Sequence, residues 1–106
     1  MMQYVTDFTG LKQSIEILKT KKMVGLDTET SGLDPHSNQL LLIQIGDKRD
    51  QFVYDVHALG EDINRLSEIL ENESILKILH NAKFDLKFLY THTNIECNSI
   101  NLLKSL

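Results

Sequence analysis

The chain has 106 residues, of which 42% are hydrophobic and 25% are charged. These values predict one globular domain with a single core, and they exclude collagen-like, coiled-coil and disordered classes. Acidic residues outnumber basic ones by 15 to 11, which gives a net charge of −4. A domain that holds duplex DNA by charge alone is usually basic. If this chain handles nucleic acid, we therefore expect a bound divalent metal to make the contact with phosphate.

The sequence shows no targeting or membrane-spanning segment. Its longest apolar run, residues 40–43, is far shorter than the ~20 residues that a membrane span needs. Residues 1–8 lack the basic and then apolar pattern of a secretory signal. The one cysteine, Cys97, cannot form an internal disulfide, which fits a reducing compartment. We therefore expect a cytoplasmic protein with a single domain over residues 1–106.

Hydrophobic periodicity predicts strands interleaved with helices, in the order β-α-β-β-β-α-β-α. Thr9 is the predicted N-cap of the first helix, and the chain is expected to end inside a further helix. The predicted strands are residues 3–6, 23–29, 40–45, 51–56 and 75–79, and the predicted helices are residues 9–20, 61–71 and 82–91. This alternation predicts an α/β fold with a mixed sheet.

Two acidic residues lie two positions apart at the end of the first long strand. Alternate residues of a strand share a face, so Asp27 and Glu29 are predicted to emerge on the same side. Neighbouring carboxylates repel each other unless they share a cation. The pair therefore indicates either a cation site or a strand end that passes into a polar loop. Val24 and Leu26 of the same strand are predicted core residues.

A second polar group, His-Asn-Ala-Lys-Phe-Asp at residues 80–85, follows the last predicted strand. Asn81 is a predicted helix cap, and Asp85 lies near the end of the first helical turn. The Asp85 carboxylate either favours the helix dipole or, if the helix packs on the sheet, projects towards Asp27 and Glu29. Three converging carboxylates would form a hard-oxygen site suited to Mg²⁺ or Mn²⁺.

The two segments together resemble a known family. Gly-Leu-Asp-Thr-Glu-Thr-Ser-Gly-Leu-Asp-Pro at residues 25–35 resembles the first motif of the DEDD-type 3′-5′ exonucleases. His-Asn-Ala-Lys-Phe-Asp-Leu-Lys-Phe-Leu at residues 80–89 resembles their second motif, in which an Asn precedes an Asp by four positions. The sequence looks most like the proofreading domain of family A DNA polymerases, with ribonuclease D as a related enzyme. The resemblance extends from about residue 3 to the C-terminus.

This resemblance implies an RNase H-like fold and hydrolysis of phosphodiester bonds with two divalent metals, Mg²⁺ or Mn²⁺. Two such ions hold the attacking water and stabilise the leaving 3′ oxygen. The implied catalytic and metal-binding residues are Asp27, Glu29 and Asp85. The implied substrate contacts are Thr30, Leu33, Asn81 and Phe84. For Leu33 and Phe84, ordinary core packing is the alternative.

One part of the family pattern is absent from this sequence. The family carries a fourth acid, preceded by a Tyr or His four residues earlier, well downstream of the second motif. This chain has no Asp after Asp85, and Glu96 is the one acid in that stretch. We therefore expect the N-terminal part of an exonuclease domain, C-terminally truncated and with little or no turnover alone.

Three functions stay open at this point. The first is a proofreading-type exonuclease that shortens single-stranded DNA from its 3′ end, with a polymerase domain or a separate chain supplying the third motif. The second is ribonuclease D-like trimming of RNA. The third is a non-catalytic nucleic-acid-binding remnant, or one half of a split exonuclease. The residues of the two motifs look closer to those of polymerase proofreading domains, which favours DNA as the substrate.

Overall fold

Six strands form one mixed sheet in the computed structural model, which describes residues 2–102. The strands are β1 (Met2–Val5), β2 (Met23–Thr30), β3 (Leu40–Gly46), β4 (Gln51–Asp55), β5 (Leu76–Leu79) and β6 (Ile100–Leu102). Their order across the sheet is β1-β4-β3-β2-β5-β6. β3 runs antiparallel to both of its neighbours, and the other pairs are parallel. The predicted α/β fold with a mixed sheet is confirmed.

The helical segments are α1 (Phe8–Leu18), α2 (Val56–Leu59), a 3₁₀ segment (Gly60–Leu66), α3 (Ser67–Leu70) and α4 (Ala82–His92). The first helix begins earlier than predicted, because Asp7 and not Thr9 is its N-cap. The extended backbone of Asp7 lets its side chain accept a hydrogen bond from the Gly10 amide at 2.8 Å. Within residues 2–102, no helix combines the length and the apolar character needed to cross a membrane.

The single helix predicted for residues 61–71 is wrong. The chain instead forms the 3₁₀ segment followed by one short turn, α3. Ile63, Leu66 and Ile69 are buried and recur at intervals of three. Because a 3₁₀ helix has three residues per turn, this spacing keeps Ile63 and Leu66 on the core side, and Ile69 of α3 is buried in the same core.

The helix predicted near the C-terminus is wrong for residues 100–102, which form β6 instead. β6 pairs in parallel with β5, with Ile100 opposite Lys77. Ser99 has a φ of 51°, which interrupts any helix at that point. The remainder of that predicted helix, residues 103–106, lies outside the described residues.

The hydrophobic core lies on one face of the sheet, and each helical segment contributes buried side chains to it. Alternation along β2 places Val24 and Leu26 in this core, as predicted. The opposite side of β2 carries Asp27 and Glu29, which are exposed. We call this the open face of the sheet, and it leaves the apolar side chains of Met2, Tyr4 and Met23 exposed as well.

Candidate active site

The acidic pair of the first motif lies near the end of β2, where the sheet pairing becomes irregular. Asp27 stands opposite Gln44 of β3, and the register shifts between Glu29 and Thr30. Burial alternates along the strand, with Asp27 and Glu29 exposed and Thr28 half-buried between them. The two carboxylates therefore share the open face, while Thr28 is directed towards the helices.

The acid of the second motif is buried beside this strand. Asp85 lies in the first turn of α4, and 3% of its surface is exposed. Its Oδ1 accepts a hydrogen bond of 2.5 Å from the Thr28 hydroxyl. Burial raises the pKa of Asp85, the hydrogen bond from Thr28 opposes that rise, and the negative charge on Asp27 adds to it. Asp85 and Asp27 are therefore close enough to repel each other electrostatically.

The structure corrects the expectation that three carboxylates converge. Among residues 2–102, no three His, Cys, Asp or Glu side chains lie close enough together to hold a metal ion. The reason is the strand alternation, since Asp27 and Glu29 leave the open face whereas Asp85 binds Thr28 on the other side. The assignment of these three residues as metal ligands stays a prediction.

The donor atoms have the chemistry of a site for a hard divalent cation. Asp27, Glu29 and Asp85 offer only carboxylate oxygens, which are the ligands that Mg²⁺ and Mn²⁺ prefer. A cation shared between Asp27 and Asp85 would also relieve the repulsion from Asp27, which adds to the rise in pKa that burial causes at Asp85. The chemistry of these donor atoms therefore fits Mg²⁺ or Mn²⁺, although among residues 2–102 the structure does not bring the three carboxylates together.

A cavity of about 270 Å³ adjoins Asp27 on the open face. Gly25 and Gly46 face each other across β2 and β3 in its wall, and His80 and Gln51 line it too. Because Gly25 has no side chain, and an added Cβ there would meet nothing closer than the Gly46 carbonyl oxygen at 3.5 Å, the sheet surface is recessed at this point. The recess leaves room for a ligand directly beside the first-motif acid.

Three of the four predicted substrate contacts share a second cavity, of about 350 Å³. Leu33 and Pro35 form one wall, and Asn81 and Phe84 belong to the opposite wall on and before α4. Leu33 is 85% exposed, which excludes core packing as the reason for this residue. We call this space the Leu33 cavity.

Phe84 packs on the core as well as lining the cavity, and Thr30 is the one predicted contact that lies outside it. The Phe84 ring lies 4.9 Å from that of Phe88, so Phe84 both lines the cavity and supports α4. Thr30 ends β2 and is not among the residues that line the Leu33 cavity. Its hydroxyl donates to the Gly32 carbonyl at 2.7 Å. Thr30 therefore shapes the start of the loop at residues 31–38.

That loop has a defined shape, which its own side chains maintain. The Asn38 side chain fills the space beside Gly32, where an added Cβ would lie 2.5 Å from it. Asn38 Oδ1 also accepts from the Asp34 amide at 3.0 Å. The loop therefore presents Leu33 to solvent from a folded base.

Thr28 is the site residue that the sequence analysis missed. Strand alternation could have indicated its position, because a residue between two exposed acids on a strand faces the opposite side of the sheet. The Asp-Thr-Glu segment drew attention to its acids, whereas the threonine hydroxyl makes the contact with the second motif.

A mixed sheet with an acidic pair on β2 and a buried acid at the start of α4 defines an RNase H-like nuclease domain. The family model described as 3′-5′ exonuclease matches residues 2–104. The chain therefore belongs to the 3′-5′ exonuclease family of the DEDD type, whose members are hydrolases.

Named relatives handle both DNA and RNA. The chain is 38% identical over 90 residues to DNA polymerase I of Aquifex aeolicus, covering 85% of this chain and 14% of the polymerase. It is 32% identical over 90 residues to ribonuclease D of Zymomonas mobilis, covering 84% and 23%. The crystal structure of Escherichia coli RNase D, an exoribonuclease, superposes with a TM-score of 0.86 at 25% identity, covering 96% of this chain and 27% of that one. The chain thus spans less than a quarter of the length of these two curated relatives.

Proposed function

We propose that this chain forms the part of a metal-dependent DNA 3′-5′ exonuclease that holds the catalytic ions and the 3′ end of the single strand. The observation that carries the proposal is the Thr28–Asp85 contact, which joins the two motifs and keeps a buried carboxylate beside Asp27. The identity with DNA polymerase I favours DNA as the substrate. We further propose a cytoplasmic location, for which the lone Cys97 is the support.

Asp27, Glu29 and Asp85 are the residues that would hold Mg²⁺ or Mn²⁺. When bound, the ions supply activation of water and stabilisation of the leaving oxygen. The chain contributes negative charge at a fixed place, because β2 fixes the backbone of Asp27 and Thr28 fixes the Asp85 carboxylate. An acidic protein can bind an anionic strand in this way, since the ions neutralise both partners.

The Leu33 cavity is the proposed place for the terminal nucleotides. Leu33 is free to wedge against the last base, and Phe84 offers an aromatic ring for stacking. Lys83 and Lys87 lie one turn apart on α4 and line the same cavity. Their positive charge would attract the phosphates of the strand towards the acidic site.

A fourth carboxylate is absent from the motifs of this sequence, as is a Tyr or His to orient the attacking water. We propose that a polymerase domain or a separate chain supplies both groups. General acid–base and positioning groups each contribute about 10²–10⁴ in rate. The 106-residue chain alone is therefore expected to turn over slowly or not at all.

The test is shortening of a 5′-labelled single strand with Mn²⁺, resolved at single-nucleotide steps. The chain is assayed alone and as a fusion with the segment that follows the matched region in the Aquifex aeolicus polymerase. The proposal expects stepwise shortening from the 3′ end by the fusion, lost in the matched Asp85→Ala fusion. Shortening that survives Asp85→Ala would contradict it, and no shortening by a folded fusion would favour a non-catalytic, nucleic-acid-binding remnant.

Trimming of RNA is the second candidate, and the likeness to ribonuclease D in sequence and structure supports it. The same assay separates the candidates when a DNA strand and an RNA strand of one sequence are used in parallel. Faster shortening of DNA supports the proofreading-type function, whereas faster shortening of RNA supports the ribonuclease D-like one.

A further inference from the structure

We propose that His92 is a positioning residue that holds the loop at residues 31–38 against α4 and so sets the shape of the Leu33 cavity. The substrate part of this inference rests on the function proposed above. The contact between the loop and the helix does not depend on that function, and it can be tested separately.

The contact joins the last residue of α4 to the loop. His92 Nε2 lies 2.8 Å from the carbonyl oxygen of Pro35, 57 residues away in the sequence. The imidazole ring also stacks on Phe88, with ring centroids 5.7 Å apart and planes 10° from parallel. Because Phe88 is fully buried, it gives the imidazole a fixed platform from which Nε2 meets the loop.

On the loop side, the acceptor is the carbonyl oxygen of Pro35, and this residue anchors the loop. Pro35 is buried although both of its neighbours are exposed. Within the described part of the chain, the hydrogen bond from His92 links the loop at residues 31–38 to α4. The other hydrogen bonds of the loop join residues within the range 30–39. The opposite charges of Asp34 in the loop and Lys87 on α4 attract each other, which also draws the loop towards the helix.

The position of Pro35 explains why this contact bears on the substrate. Pro35 forms part of the wall of the Leu33 cavity, and Leu33 itself lies two residues before it. His92 is not among the residues that line the cavity. It therefore acts through Pro35, by keeping the loop wall at a fixed distance from Asn81 and Phe84 on the helix side.

The hydrogen bond requires a proton on Nε2 of the imidazole. A neutral His92 must then be the Nε2–H tautomer, because the carbonyl of Pro35 can only accept. Long-range ¹⁵N–¹H correlation spectra of the imidazole report this tautomer directly. The opposite tautomer, with the proton on Nδ1, is incompatible with this hydrogen bond, so its observation would exclude the contact.

Two variants separate the hydrogen bond from the ring packing. His92→Phe keeps a ring on Phe88 and removes the donor, whereas His92→Gln removes the ring and keeps a donor. Both remove the imidazole from the C-terminal turn, so any effect of its charge on the helix dipole is lost equally. The readouts are hydrogen exchange of the loop amides and affinity for a fluorescent single-stranded DNA oligonucleotide in Ca²⁺, with the melting temperature as the control for folding.

We expect His92→Phe to leave the melting temperature within ~2 °C of the wild type. Exchange of the Ser37 and Asn38 amides, which donate to Asp34, should accelerate by about tenfold, and the oligonucleotide affinity should fall about threefold to tenfold. His92→Gln should recover part of both losses.

Unchanged loop exchange in His92→Phe, or a Nδ1–H tautomer in the wild type, would overturn the positioning role. Faster exchange with unchanged oligonucleotide affinity would overturn the link to the cavity. A folded wild-type chain that binds no oligonucleotide would instead contradict the proposed function, and the tautomer and the loop exchange then decide the role of His92 by themselves.

Discussion

The Thr28 hydroxyl donates a hydrogen bond of 2.5 Å to Asp85 Oδ1, across 57 residues of sequence. This bond connects the two segments that carry the acids of the site. It also gives a buried carboxylate a partner, and a buried charge without one is costly. The position of the Asp85 carboxylate beside β2 therefore depends on a residue that is not itself acidic.

Removal of the Thr28 hydroxyl should weaken both the fold and the metal site. Thr28→Val keeps the branched shape and removes the hydroxyl that donates to the buried Asp85 carboxylate, so we expect a loss of about 1–3 kcal/mol in the free energy of unfolding. Mn²⁺ affinity should fall as well, because Asp85 loses its orientation. Thr28→Ser is the matched control and should retain most of both properties. Calorimetric titration that gives equal Mn²⁺ affinity for Thr28→Val and the wild type would contradict this role.

Neutralising Asp85 should raise the free energy of unfolding and at the same time lower the affinity for metal. Asp85→Asn keeps the size of the side chain and an oxygen that can accept from Thr28, while it removes a buried charge that Asp27 repels. We expect the free energy of unfolding at neutral pH to rise by on the order of 1 kcal/mol. Mn²⁺ affinity should fall in the same variant. A variant that is destabilised but binds Mn²⁺ normally would show that Asp85 is a structural residue.

Truncating Leu33 should affect oligonucleotide binding without affecting the fold. Because Leu33 is 85% exposed, Leu33→Ala should change the free energy of unfolding by less than about 0.5 kcal/mol. Affinity for a single-stranded oligonucleotide, measured by fluorescence anisotropy, should nevertheless fall. The exposed Leu41 on β3 offers a matched control, since it does not line the Leu33 cavity. Equal loss of affinity in Leu33→Ala and Leu41→Ala would argue against a specific contact.

The turn between β3 and β4 should make stability depend on pH. Hydrogen bonding from the Asp50 amide and then the contact with Lys21 lower the pKa of Asp47 from 3.8 to about 2. Because the folded-state pKa lies below the unfolded one, the stabilisation is complete above pH 3.8 and is lost as the pH falls towards 2. Asp47→Ala should thus destabilise the chain at pH 7, with a difference that shrinks below pH 3.8 in denaturant titrations. If the difference in stability between Asp47→Ala and the wild type does not change with pH, the charge of Asp47 is not involved.

Strong local patterns made much of the fold predictable. Residues 82–91 were predicted as a helix from one apolar stripe, and the structure has Ala82–His92. The strands predicted at residues 40–45 and 51–56 form β3 and β4, which pair as an antiparallel hairpin. The 3₁₀ segment was not predictable in the same way, because spacings of three also occur in α-helical stripes.

The details that were missed depend on contacts between distant segments. Lys77 is fully buried, and its ammonium donates to the carbonyl of Asn72 and to the side chain of Asn98. Within its own strand, nothing distinguishes Lys77 from a solvated lysine. The same limit applied to the site, where the motifs indicated Asp27 and Asp85 but not that they approach from opposite sides of β2.

If the two motifs form one metal site, Mn²⁺ line broadening in the ¹⁵N-labelled chain will occur at the acids of both motifs. We expect substoichiometric Mn²⁺ to broaden the amide signals around Asp27, Glu29 and Asp85 first. The acidic pair of the β3–β4 turn, Asp47 and Asp50, provides an internal control, because Lys21 already neutralises part of its charge. Selective broadening at the two motifs, abolished by Asp27→Asn, is the predicted result. Broadening that is strongest at the turn, or that Asp27→Asn leaves unchanged, would exclude a metal site shared by the two motifs.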